Sequence, residues 1–177
     1  MGKAANSSIS LKQIHVTDNF WNKYVHLVKD VIIPYQWDIL NDKLEDVETS
    51  HCIENFKIAA GEKEGEFQGA VFQDTDVAKW LEAVGFVLNY ERDEKLEELA
   101  DETIELIGRA QQPDGYLNTY FTIKEPDGRW SNLMEGHELY TAGHMIEAAV
   151  AYYEATGKRR FLEIVSKFAD LVCQTFG

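Results

Sequence analysis

Residues Gly136 to Gly157 read GHELYTAGHMIEAAVAYYEATG. At 3.6 residues per turn, His137, Tyr140, His144, Glu147 and Ala151 fall on one face of a single helix. Leu139, Met145, Ile146, Ala149, Val150 and Tyr153 occupy the rest of its circumference. A surface helix carries a broad charged face, whereas this one is apolar all round except for one narrow polar line. The expectation is a buried helix whose polar line looks into a wet cavity. Two imidazoles and a carboxylate need partners or water once enclosed, so the alternative is a pair of hydrogen-bonded core histidines.

A second copy of this pattern lies upstream. Sliding the chain by 65 residues lays 80–107, WLEAVGFVLNYERDEKLEELADETIELI, over 145–172, MIEAAVAYYEATGKRRFLEIVSKFADLV. Leu81 then meets Ile146, Glu82 meets Glu147, Leu99 meets Ile164 and Leu106 meets Leu171. Each copy reads as a helical hairpin, the second turned by Gly157 just past its first helix. Repeated αα-hairpins build either an open solenoid or a closed toroid. The connecting stretch 111–135 is long for a structureless loop, and such loops usually carry function. That favours a toroid whose loops gather round one mouth.

Helix dominates elsewhere. Residues 9–16 alternate at period 2 and predict one short strand, while residues 1–8 are expected to be disordered. Asp18 caps a helix through about Asn41, and Pro34 imposes a kink or restart near Ile33. Further helices are expected over 51–60, 77–89 (capped by Asp74 or Thr75), 94–110 (capped by Asp93), 136–155 and 159–175. Pro-Asp-Gly turns at 113–115 and 126–128 punctuate the long loop. Trp21, Trp37 and Trp80 sit at core spacings, and Trp130 is expected to be partly exposed. The expected fold is thus all-α, built of hairpin repeats over 9–177 with one N-terminal strand.

The chain has 177 residues, 45% hydrophobic and 12% aromatic, enough for one domain with a real core. A net charge of -14 argues against a nucleic-acid partner, which needs clustered Lys and Arg. No apolar run reaches membrane-spanning length, so no membrane partner is expected. The opening MGKAANSSIS has no apolar stretch, and Asn6 stands where a myristoylation signal needs Ser or Thr. Cys52 and Cys173 have neither metal spacing nor a disulfide framework and are read as reduced, packed thiols. Cytoplasmic residence is the expectation.

His137 and His144 lie two turns apart, roughly 10 Å along the axis, so one ion cannot take both. Thr141 also breaks the HExxH pattern, and this helix alone is expected to hold no metal. Imidazole offers a donor and an acceptor, which suits a polyhydroxylated ligand, and Tyr140 and Glu147 extend the same surface. Asp74 and Asp76 open the earlier hairpin, and the equivalent turn of the later one carries His137 and Glu138. They are read as capping residues, with pocket lining the alternative for Asp76. The segment 112–121, QPDGYLNTYF, sets aromatic rings beside amides and hydroxyls, as sugar sites do. A loop pinned by its own aromatics is the other reading, and Tyr116 is the candidate it offers.

Three of these segments, VFQDTDVAKWLEA, RAQQPDGYLNTYF and GHELYTAGHMIEAAVAYYEATG, resemble glycoside hydrolase family 127, the β-L-arabinofuranosidase family. So does IHVTDNFWNKYVHLVKDVIIPYQWDILND, and the likeness runs in order from about Ile14 to Gly177. The resemblance implies a retaining exo-glycosidase with an (α/α)6 barrel, a zinc-bound cysteine nucleophile and a glutamate acid/base. It also implies barrel histidines that hold a terminal arabinofuranose, and His137 matches one of them by position. His144, Asp76 and Tyr116 are further candidates for the same wall.

The departure is as informative. The family's nucleophile, its other zinc ligands and its acid/base glutamate belong to later barrel segments. Cys52, Cys173 and the glutamates here match none of those motifs, and about three hairpins are present where the barrel needs six. The chain is therefore read as the N-terminal part of the catalytic barrel, with no catalytic residue and no metal of its own. Zinc is expected in the complete enzyme. The alternative is a non-catalytic carbohydrate-binding or helical-repeat scaffold module. Apolar seams that would meet the missing hairpins should be exposed and promote self-association.

Overall fold

The computed structural model describes residues 9–177; the expectation of disorder over residues 1–8 lies outside them. The described residues are all-helical. The expected strand at 9–16 is instead a short 3-10 turn, Leu11–Gln13, with Gln13 N donating to Ser10 O and Ile14 N to Leu11 O. A lone strand leaves its backbone groups without a ladder, and no second strand among the described residues supplies one.

Helix α1 spans Asn19–Leu27, and its Asp18 cap accepts from Phe20 N and Trp21 N. A π-helical segment, Val28–Ile32, follows, and α2 restarts over Ile33–Leu40 with Pro34 in its first turn. Proline lacks an N–H and crowds the preceding turn, so the interruption falls at the expected place. Helix α3 covers Cys52–Ala59. Two hairpins then carry the fold: α4 (Asp74–Tyr90) with α5 (Glu94–Ala110), and α8 (Glu138–Thr156) with α9 (Arg160–Phe176). Between them the 111–135 stretch proves to be structured, holding α6 (Thr119–Ile123), a 3-10 turn at Pro126–Gly128 and α7 (Leu133–Gly136).

The 65-residue repeat is realised in space: α4 lies along α8, with α2 on its other flank, and α5 packs on α9. Gly85 makes the closest approach possible, since a Cβ there would sit 2.8 Å from the Ala151 carbonyl carbon. Phe56, Leu81, Val84, Ile104, Met145, Tyr152, Phe161 and Phe168 fill one continuous core. Tyr152 crosses it to donate its hydroxyl to Asp101 Oδ1 at 2.7 Å, tying α8 to α5. Gly157 ends α8 at φ 76°, in the left-handed region that favours glycine.

Not every tryptophan is core. Trp80 is buried and stacks on Trp37 with ring centres 4.5 Å apart, but Trp21 is 61% exposed. It joins Phe20 and Tyr24 in an exposed aromatic cluster. Helical spacing looks the same for a core stripe and for an open groove face, which is why the sequence misplaces Trp21. Cys52 is buried, whereas Cys173 is exposed near the end of α9 rather than packed.

Candidate functional site

Three contacts define the geometry of the site. Phe72 meets His137, Lys79 meets Tyr140, and Gly85 meets Ala151, stepping in the same direction along both helices. Helices α4 and α8 therefore run parallel, and their N-terminal ends lie together with Asp76 on one and His137 on the other.

His137 is the hinge between α7 and α8. Its backbone is left-handed, φ 52°, a conformation that is costly for a residue with a side chain. The turn is fixed from both sides, by Thr141 N bonding His137 O at 2.9 Å and by the buried anchor of Glu138. The ring lies edge-on to Phe72, 5.3 Å between centres, and 5.9 Å from Tyr140. It is half-buried and makes no hydrogen bond among the described residues. Tyr140 in turn stands perpendicular to His144 at 4.6 Å.

The polar line of α8 is real, but the helix is not enclosed all round. Leu139, Tyr140, Val150 and Tyr153 are exposed, although Lys79 of α4 reaches over the Tyr140 ring. The line thus forms an open face rather than the wall of a closed cavity.

Asp76, in the first turn of α4, accepts from Gln73 Nε2 at 2.9 Å, and the same amide reaches Ser50 Oγ at 3.2 Å. These groups, with Gln36 and Lys79, supply the polar wall of a cleft of about 730 Å³ between α2 and α4. Partial burial in the cleft pushes the Asp76 carboxyl up, and the Lys79 ammonium works against that shift.

Tyr116 stands apart from the other three candidates. It is fully enclosed, with its ring against Trp130 and Phe168 and the Arg129 guanidinium 4.0 Å over its face. Its hydroxyl donates to Glu138 Oε1 at 2.5 Å, and burial together with that carboxylate pushes the phenol far up. The loop pinned by its own aromatics is what the structure contains, and the placing of Tyr116 on the sugar wall is corrected accordingly.

Two buried carboxylates have an anchoring role that the sequence reading did not assign them. Glu138, the first residue of α8, also accepts from Trp130 N at 2.8 Å, holding that residue at φ 63°. Asp74, the first residue of α4, accepts from Thr119 N at 2.7 Å and from the Thr119 hydroxyl. Asp74 is therefore not a cap: it clamps the 111–135 segment from one hairpin, and Glu138 clamps it from the other. Burial pushes the Asp74 carboxyl up to about 6, opposed by the Thr119 bonds. The visible signal was an acidic residue at the start of the first helix of each hairpin, one position off the 65-residue register.

The cysteines present do not fit the zinc–thiolate centre implied by the resemblance. Cys52 is enclosed and donates to Gln73 O, and burial, reinforced by the Asp74 charge, pushes its thiol well up. A zinc ligand needs the opposite, an easily formed thiolate. Cys173 is exposed, at the far end of a different helix.

With this geometry in hand, the comparisons with known proteins are consistent with one another. The chain is 41% identical to the non-reducing end β-L-arabinofuranosidase of Bifidobacterium longum subsp. longum, over 93% of its own length and 27% of that protein's. A crystal structure of a GH127 β-L-arabinofuranosidase from Geobacillus stearothermophilus T6 superposes with a TM-score of 0.92 at 63% identity, covering 93% of this chain and 26% of that one. A second solved GH127 β-arabinofuranosidase gives 0.84 at 36% identity, covering 94% and 26%. The chain thus spans about a quarter of the length of these relatives. The sequence profile described as the β-L-arabinofuranosidase GH127 catalytic domain matches residues 13–177, and the chain belongs to that family.

Proposed function

We propose that this chain supplies one wall of the sugar subsite in a β-L-arabinofuranosidase that cleaves terminal β-L-arabinofuranose. His137 is the principal hydrogen-bonding residue of that wall. The observation that carries the reading is its half-buried ring, free of internal hydrogen bonds, at the joined N-terminal ends of two parallel helices. Asp76 and its cleft lie at the same end, and His144 extends the line about two turns along α8. A ring nitrogen without an internal partner is free to meet a sugar hydroxyl. The nucleophile, the acid/base and the zinc belong to parts of the complete enzyme outside these residues. No described helix is long and apolar enough to cross a membrane, and residence in the cytoplasm is part of the proposal.

The test has two arms. The chain alone should leave an aryl β-L-arabinofuranoside intact, and turnover that survives repurification would overturn the division of labour. In the complete enzyme, His137→Ala should remove a hydrogen bond worth roughly 1–3 kcal/mol in a dry site. That lowers kcat/KM by about one to two orders of magnitude with little change in Tm. A clear drop in Tm with unchanged kinetics per folded molecule would make His137 a packing residue instead.

A further inference from the structure

Farther along the α4–α8 contact, His144 converges with two carboxylates that the sugar wall does not include. Ligand atoms of Glu82 on α4 and of His144 and Glu147 on α8 all lie within 4.8 Å of one another. His144 and Glu147 are three residues apart and so share one face of their helix. Glu82 comes from one turn before Gly85, where the two backbones approach most closely. Glu82 and Glu147 are also partners in the 65-residue repeat, so the parallel packing sets two carboxylates side by side.

Two like charges held together repel unless something positive lies between them. The only group nearby that the triad itself offers is the His144 imidazole, and it does not resolve the problem. Its Nδ1 is enclosed and has no hydrogen-bond partner, and the Glu147 oxygen is 3.5 Å away, too long for a good bond. An enclosed ring nitrogen without a partner, on an imidazole grouped with two carboxylates, is a donor set lacking its acceptor. One imidazole with two carboxylates suits zinc-class transition metals, whereas calcium and magnesium prefer all-oxygen shells. A His and a Glu at i, i+3 on one helix, completed by a carboxylate from its neighbour, is also how helical bundles build metal centres.

We propose that Glu82, His144 and Glu147 form a binding site for a divalent transition-metal cation of the zinc class, bridging α4 and α8. Three protein ligands leave at least one coordination position open, and Glu147 is 64% exposed, so water reaches it. The single α8 helix cannot make this site, because its two histidines are too far apart; the third ligand is Glu82. The site shares no ligand with a cysteine-based centre.

The test is a Co²⁺ titration of the 177-residue chain, followed by visible absorption and with Zn²⁺ competition, alongside Glu82→Gln, Glu147→Gln and His144→Ala. The expected result is saturation at one equivalent, displacement by Zn²⁺ and no thiolate charge-transfer band. Each variant should bind at least about 10-fold more weakly, no less than is lost when a mere outer-shell partner of a metal is removed. Zn²⁺ should also raise the Tm of the unsubstituted chain, as any ligand of the folded state does. Far-UV circular dichroism checks folding, and if His144→Ala unfolds, the exposed Glu147→Gln decides the matter alone. Absence of saturable binding by the folded chain overturns the proposal, as does unchanged affinity in the glutamine variants.

Discussion

Asp74 offers the sharpest test of how the two hairpins are joined. Its carboxyl is buried, bonded to Thr119, and raised from 3.8 to about 6 by burial. The folded chain therefore holds this proton at pH values where the unfolded chain has lost it. The protonated group contributes stability fully below pH about 4, and that contribution is lost as pH rises through about 6. At about 1.36 kcal/mol per unit, the whole shift amounts to about 3 kcal/mol, most of it lost between pH 4 and pH 7. In a chain of this size that corresponds to about 6–12 °C in Tm. Asp74→Asn keeps the shape and an acceptor for Thr119 N but has no charge to desolvate. Urea unfolding of both proteins across pH 4 to 7 should show near-equal stability at pH 4 and a growing advantage for the variant above it. Other titrating carboxylates cancel in the difference. Parallel profiles would mean that Asp74 is not desolvated, and a variant that loses ground as pH rises would mean that the charged form is the one the fold prefers.

Two further outcomes follow from the packing. Gly85→Ala places a Cβ 2.8 Å from the Ala151 backbone, so overpacking of about 1–3 kcal/mol should outweigh the better helix propensity of alanine; a neutral or raised Tm would show that α4 and α8 can part at no cost. The aromatic cluster of Phe20, Trp21 and Tyr24 borders an apolar groove of about 580 Å³, and light scattering should show the chain's mean mass rising with concentration and falling back in Trp21→Glu; a monomer at every concentration would refute the sticky seam.

What could be read from the sequence was what neighbouring residues decide. The caps Asp18 and Asp93 bond amides two and three residues away, and both helices begin where those residues place them. The paired hairpins were legible because the repeat writes the same seam twice. The strand at 9–16 was not excluded locally, since alternation is a local property but pairing is not. Tyr116 and Glu138 meet across 22 residues, and Asp74 and Thr119 across 45, distances at which no spacing rule speaks. The polar line of α8 was correctly located, yet its surroundings depend on what packs opposite, which lies in no single helix.

The π-helical segment before Pro34 has a consequence for the rotational phase of the N-terminal helices. Each residue added to a helix turns everything beyond it by about 100°. The widened turn at Val28–Ile32 therefore acts as an angular spacer between α1 and α2. On one side of it Trp37 stacks on Trp80, whose indole N–H donates to Ile33 O at 3.1 Å. On the other side Asn22 accepts from the Tyr90 hydroxyl at 3.1 Å. Both docking points lie on the one helix α4, so the N-terminal rod is held to that neighbour on either side of its widened turn. Rewinding the widened turn would rotate one docking point against the other, so the two contacts together hold its winding in place.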